Sequence, residues 1–313
     1  MSTFQSAIVG FAVADAFGVP VEFEERDTYQ ITDMLGFRSW NVPAGSWSDD
    51  SAMMFCTMEH LLEGTSLDHL KEKFCDWAYR GYWTHDGEPT FDIGATISEV
   101  VHRWELKGYH EKARTDAYSN GNGALMRILP IALWTWKKEL TDEQLFSFVE
   151  SYATVTHGHI RSTIACYHYV YVVHELLNGT SIVDSLQTTQ KKIDERLTHN
   201  PEEVVHFERL TTLTAMERNN IKSSGYVIDT LEAVYWSLLQ TDSYEDAVKT
   251  AVHLGDDTDT VGALTGGLAG ILYGYDTIQK SWLEPLAKQK EIHDIIQRFE
   301  KGTYESLYCK TDI

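Results

Sequence analysis

The chain has 313 residues, 43% hydrophobic and 23% charged, with a formal net charge of −21 at neutral pH. So acidic a composition excludes general binding to nucleic-acid phosphates and to anionic membrane surfaces, both of which need basic side chains. It leaves room for a small anion held locally by a metal or a helix N-terminus.

Residues 3–16 predict a buried helix: Phe4, Ile8, Val9, Phe11 and Val13 leave little polar face, and Asp15 interrupts the apolar run. The segment lacks a basic leader region, so no signal peptide is expected. No stretch is expected to reach the ~18 uncharged apolar residues of a membrane span. Gly18 and Pro20 end the helix, and Glu22 follows in an extended turn, either as a surface acid or as part of a site. Ser48, Asp49 and Asp50 stand at the entrance of an apolar helix over 51–62, and a second helix follows over 67–79. Asp92 lies where Phe91–Thr96 opens the next helix, as an N-cap or as a functional acid. Ser119, Asn120, Gly121, Asn122 and Gly123 form a Gly–Asn loop into an apolar helix over 124–133, in which Pro130 implies a kink or a broken start. Backbone amides at such an entrance can bind phosphate, although Asn–Gly pairs also mark ordinary turns.

Thr141 and Gln144 predict a capping box for a helix over 141–154. His157 and His159 are spaced as metal ligands or as ordinary loop side chains. A long buried helix is expected over 160–177, then two surface helices split near Asn200–Pro201 and without chemistry, amphipathic helices over 226–239 and 244–252, and a closing helix after Trp282. The four cysteines, Cys56, Cys75, Cys166 and Cys309, make no zinc signature and no disulfide framework. Reduced thiols in a cytoplasmic protein are therefore expected. No segment alternates as a strand does, and no composition shift marks a linker, so residues 1–313 predict one all-α domain.

The most unusual stretch is Leu254–Thr260, with Asp256, Asp257 and Asp259 beside Thr258 and Thr260. Three like charges this close repel, and buried carboxylates are unfavourable without a partner. The run that follows looks made for the interior. Gly262, Gly266 and Gly270 recur every four residues and share one helix face, where another backbone can approach. Two acidic helix starts facing each other, at 48–50 and 257–260, would offer about six oxygen ligands, enough for a pair of hard divalent cations. Either cluster alone reads equally well as an N-cap; the doubled Asp–Asp in both favours metal.

In order along the chain, Ala14–Gly18 with Pro20, Glu22 and Phe23, Trp47–Ser51, Phe91–Gly94, Ser119–Arg127 with Pro130, Thr156–His157 and Gly255–Ala263 resemble the motifs of the ADP-ribosylglycohydrolase family. That family includes the dinitrogenase reductase activating glycohydrolase and the ADP-ribosylarginine hydrolases. The resemblance implies an all-α fold around a binuclear Mg²⁺ or Mn²⁺ centre. It implies Ser48, Asp49, Asp50, Asp257, Asp259 and Thr260 as ligands. Ser119 to Gly123 and His157 would contact ADP-ribose, and Asp92 and Glu22 correspond to acids that different members use beside the metals. Two positions depart from the pattern: Ala14 replaces a usual Gly, and Ser48 a usual Thr, which puts affinity and metal preference in question. The expected activity is removal of ADP-ribose from a protein side chain, arginine first, with Asp92 or Glu22 transferring protons as in carboxylate-assisted glycoside cleavage. Nearby cations would lower the pKa of Asp92 and favour a base role unless burial opposes it. The alternatives are another ADP-ribose linkage (serine, a nucleic-acid adduct or a small conjugate), a phosphohydrolase, and a catalytically silent ADP-ribose-binding protein.

Overall fold

A computed structural model of the chain describes residues 1–64 and 66–307. The described residues hold fourteen α-helices joined by short 3₁₀ turns, and no strand beyond one isolated bridge between Gly121 and Tyr226. In chain order the helices are α1 (Thr3–Gly18), α2 (Asp49–Glu63), α3 (Leu67–Arg80), α4 (Ala95–Lys107), α5 (Leu129–Thr135), α6 (Asp142–Ala153) and α7 (Ile160–Leu177). They continue with α8 (Ile182–Leu197), α9 (Val204–Phe207), α10 (Val227–Leu239), α11 (Tyr244–Val252), α12 (Thr258–Tyr273), α13 (Lys280–Leu283) and α14 (Gln289–Ser306).

The centre of the fold is the antiparallel pair α1 and α12. Each carries small residues every four positions: Ser6, Gly10, Ala14 and Gly18 on α1, and Gly262, Gly266 and Gly270 on α12. The backbones meet so closely that a Cβ on Gly270 would stand 2.1 Å from the Ser6 carbonyl oxygen, and one on Gly266 2.4 Å from that of Gly10. The same point on Gly266 is 2.4 Å from the Ala14 methyl, so Ala14 is accommodated because position 266 has no side chain. The Thr258 hydroxyl donates to the Gly18 carbonyl (2.8 Å), tying one end of the pair, and the Tyr244 hydroxyl of α11 donates to the Gly10 carbonyl in the middle of α1 (2.6 Å). Each glycine gives up ~1 kcal/mol of helix propensity. In return α1 is held in the centre of the fold, where Asp15 near its end meets the start of α2.

Two expectations, on the first helix and on the segment after Pro201, are corrected, and others hold. With its 3₁₀ extension, Thr3–Val21 is long and apolar enough to cross a membrane by length and composition, but it is the buried core helix of this fold. The segment after Pro201 does not form a second long surface helix: it breaks into α9 and short 3₁₀ turns, which follow a turn entered at Asn200. Pro130 gives the broken start, with a 3₁₀ turn over Leu125–Arg127 and α5 beginning one residue before the proline. Thr141 and Gln144 form the full capping box. Cys56, Cys75 and Cys166 are free and buried, and Cys309 lies outside the described residues.

Candidate metal centre and active site

Ser48 caps α2. Its hydroxyl accepts from the Asp50 amide (3.3 Å) and donates to Asp50 Oδ2 (3.1 Å). This start is held from α1, since the Asp15 carboxylate accepts from the Ser48 and Ser51 amides at 3.0 Å each and from the Ser51 hydroxyl. Burial pushes Asp15 up to about 6 against the pull of these bonds. Asp15 therefore sets where α2 begins and where Asp49 and Asp50 point. In the sequence its only trace is an acid inside an otherwise apolar helix.

Asp257 caps α12 after two residues in the left-handed region, Gly255 (φ 79°) and Asp256 (φ 63°). Phe23 is left-handed too (φ 64°); its amide donates to the Asp256 carbonyl (2.7 Å), and the Asp256 amide donates to the Glu24 carbonyl (3.1 Å). A non-glycine residue in this region costs roughly 1–2 kcal/mol, and such strain gathers at sites where geometry matters. Here it locks the turn bearing Glu22 against the start of α12. Arg26 reinforces the lock by donating to the carbonyls of Leu254 (2.7 Å), Arg218 (2.8 Å) and Ile221 (2.6 Å).

The two helix starts meet. The Thr260 hydroxyl on α12 donates to Asp50 Oδ2 on α2 at 3.1 Å. Carboxylate oxygens of Asp49, Asp50 and Asp259 lie within 4.8 Å of one another, and so do those of Glu22, Asp92 and Asp259. Asp259 belongs to both groups. Burial is the main force raising the pKa of Asp49, Asp50 and Asp259, and the charges that add to it are other carboxylates: Asp92 first for Asp49, Asp15 for Asp50, Glu22 for Asp259. Asp50 Oδ1 is buried with no hydrogen-bond partner. An oxygen-only donor set with an orphaned carboxylate oxygen is the chemistry that fits a hard divalent cation.

Asp92 is not an N-cap, since α4 is capped by Gly94. It stands in the preceding loop, where burial and then Asp257 push it up to about 6. Burial thus does oppose the ionised form. Glu22 is buried rather than a surface acid; it accepts from Trp40 Nε1 (2.5 Å), and burial followed by Asp92 pushes it up to about 9.

A cavity of about 390 Å³ opens onto this cluster, lined by Glu22, Asp49, Asp92, Asp257, Asp259 and Thr260 on one side and by Gly121, Asn122, Gly123 and His157 on the other. Asn122 joins the two sides: its Nδ2 donates to Asp257 Oδ2 (2.7 Å) and to Thr230 Oγ1 (3.0 Å). Ser119 and Asn120 are buried but are not among the lining residues. The Ser119 hydroxyl donates to Asp116 (3.0 Å), and Asn120 bonds the Ala117 carbonyl (3.0 Å) and the Ser162 hydroxyl (3.1 Å), so both brace the loop. Ser48 and Asp50 likewise stand outside the lining, joined to it through Asp49 and Thr260. His157 presents its ring to the glycine ridge, whereas His159 caps α7 by accepting from the Arg161 amide (3.2 Å).

Comparison with known proteins bears on the family and the fold. The model of the ADP-ribosylglycohydrolase family matches residues 1–307. An ADP-ribosylarginine hydrolase, Tri1, of Serratia proteamaculans is 32% identical, over 94% of this chain and 78% of its own. The ADP-ribosyl-[dinitrogen reductase] glycohydrolase of Rhodospirillum rubrum is 31% identical, over 91% of this chain and 90% of its own. A solved structure described as an ADP-ribosylglycohydrolase-related protein complex superposes with a TM-score of 0.74 at 25% identity, covering 96% of this chain and 98% of that one. The chain belongs to the ADP-ribosylglycohydrolase family and is a hydrolase.

Proposed function

We infer that the protein removes mono-ADP-ribose from modified arginine side chains of proteins by hydrolysing the N-glycosidic bond, and that it uses two Mg²⁺ or Mn²⁺ ions to do so. The observation that carries this reading is Asp259 standing in two carboxylate groups at once, at the floor of the cavity. Two relatives at 32% and 29% identity are named ADP-ribosylarginine hydrolases, which supports arginine as the linkage, against 22% for the ADP-ribosylhydrolase ARH3 of Bos taurus.

Ser48, Asp49, Asp50, Asp257, Asp259 and Thr260 would hold the ions, which when bound supply Lewis acidity and a water of lowered pKa. The ridge at 121–123, with no side chain at Gly121 and Gly123, would seat the diphosphate on the backbone amides of those two residues. Asn122 keeps that ridge at a fixed distance from the metal side through Asp257. Of the two free acids, Glu22 is held higher than Asp92. Glu22 would therefore serve as the acid that protonates the departing guanidine nitrogen, and Asp92 as the base that takes the proton of the attacking water. The buried, free cysteines fit the reducing conditions of the cytoplasm.

ADP-ribose release from an arginine-modified protein should require Mg²⁺ or Mn²⁺, stop with a chelator, and exceed release from a serine-modified one. Asp92→Asn should lower kcat by roughly 10²–10⁴ while metal binding persists. Absence of release with either metal would reject the reading, and faster release from serine would move it to another linkage.

A further inference from the structure

Arg127 is wholly buried in the turn between the glycine ridge and α5. A buried guanidinium ordinarily has a carboxylate partner; among the described residues none acts on Arg127, whose Cζ lies 5.0 Å from the centroid of the Phe74 ring. Its Nη2 donates to the Tyr152 carbonyl (3.0 Å) and to Thr156 Oγ1 (2.8 Å). Thr156 Oγ1 in turn lies 3.0 Å from His157 Nδ1.

The hydrogens in this chain can be counted. Arginine only donates, so Thr156 Oγ1 accepts from it. The threonine hydroxyl has one hydrogen, and His157 Nδ1 is its other partner among the described residues. With both groups buried, that hydrogen goes to Nδ1, which must be the bare acceptor nitrogen. The ring proton is then on Nε2. A Cβ on Gly121 would stand 3.5 Å from this Nε2, and one on Gly123 2.8 Å from the neighbouring Cε1, so this edge of the ring borders the ridge that lines the cavity. Burial, helped by the Arg127 charge, also pushes His157 down to about 3 and keeps it neutral.

We propose that Arg127 and Thr156 are positioning residues that fix His157 as its Nε2–H tautomer, a neutral donor offered to an acceptor oxygen of the ADP-ribose part of the substrate. The donor's target rests on the ADP-ribose reading of the cavity; the tautomer does not.

The test combines ¹⁵N-histidine NMR of the whole protein, with His157 assigned by its loss in His157→Asn, and calorimetric titration with free ADP-ribose. The protonated nitrogen of His157 should be Nε2, unchanged from pH 5 to 8. Thr156→Val removes the hydroxyl at nearly constant shape; it should abolish the fixed tautomer and weaken ADP-ribose binding about tenfold, and Thr156→Ser should restore both. An Nδ1–H tautomer, an imidazolium at pH 6, or unchanged binding by Thr156→Val would overturn the proposal. A wild-type protein that shows the Nε2–H form and binds no ADP-ribose would reject the function proposed above and leave the tautomer assignment standing.

Discussion

Asp259→Asn is expected to abolish hydrolysis and, at the same time, to raise the melting temperature of the metal-free protein. Asp259 is the carboxylate shared by the Asp49–Asp50 group and the Glu22–Asp92 group, so its loss removes a ligand oxygen where the two meet. Loss of metal-supplied charge stabilisation is worth several kcal/mol, or roughly 10³ in rate. Without metal the same side chain is a liability: burial raises its pKa, and Glu22, Asp50, Asp257 and Asp92 raise it further. Replacing it by a neutral amide should add about 1–2 kcal/mol, on the order of 1.5–3 °C in a chain of this size. Metal should raise the melting temperature of the wild type by mass action and leave that of the variant nearly unchanged. The pH dependence has a definite sign. An acid raised in the folded state binds its proton more tightly there, so its contribution to stability is present at low pH and lost as pH rises. The metal-free wild type should therefore weaken as pH climbs from the ordinary 3.8 of an aspartate through the value of about 6 reached by Asp15 and Asp92. Asp259→Asn should flatten that slope. Thermal melts with a chelator and with Mn²⁺, over a pH series, check all of these; a variant less stable than the wild type without metal would contradict the charge-repulsion account.

Gly266→Leu should cost the fold at least about 3 kcal/mol. Its Cβ would meet the Gly10 carbonyl and the Ala14 methyl, each at 2.4 Å, and neither can yield without moving α1. Gly64→Ala is the control: that glycine ends α2 at φ 62° with nothing within 4 Å of a Cβ. Its cost should be only ~1 kcal/mol, for left-handed backbone strain. Urea unfolding of the two variants separates close backbone approach from local strain. If separated helices α1 and α12 carry Asp15 away from α2, any folded Gly266→Leu should also lose metal affinity.

Much of the candidate site was legible because its acids come in contiguous clusters at helix starts. Asp49–Asp50 and Asp257–Asp259 are visible as charge placed against apolar runs, and the spacing of Gly262, Gly266 and Gly270 marks the face that another backbone approaches. The partner of that face was hidden. Ser6, Gly10, Ala14 and Gly18 have the same spacing, but in a helix apolar on all sides no stripe stands out, and with it went the role of Asp15. Glu22 and Asp92 are single acids in loops, and only the tertiary fold decides whether such residues are buried. The division of the Gly–Asn loop was equally unreadable: Gly121, Asn122 and Gly123 line the cavity, whereas Ser119 and Asn120 turn toward Asp116, Ala117 and Ser162. The segment after Pro201 misled because its composition suits a helix, although the chain there turns every few residues over the side of α10.

Two helix starts that lie far apart in sequence, with Asp50 and Thr260 separated by 210 positions, should share a pair of cations. Crystals grown with Mn²⁺ and measured at the manganese absorption edge test it most directly. Two anomalous peaks, about 3.5–4 Å apart, should lie among Asp49, Asp50, Asp257 and Asp259, with Asp259 near both. Peaks only at surface acids, or none between α2 and α12, would contradict it.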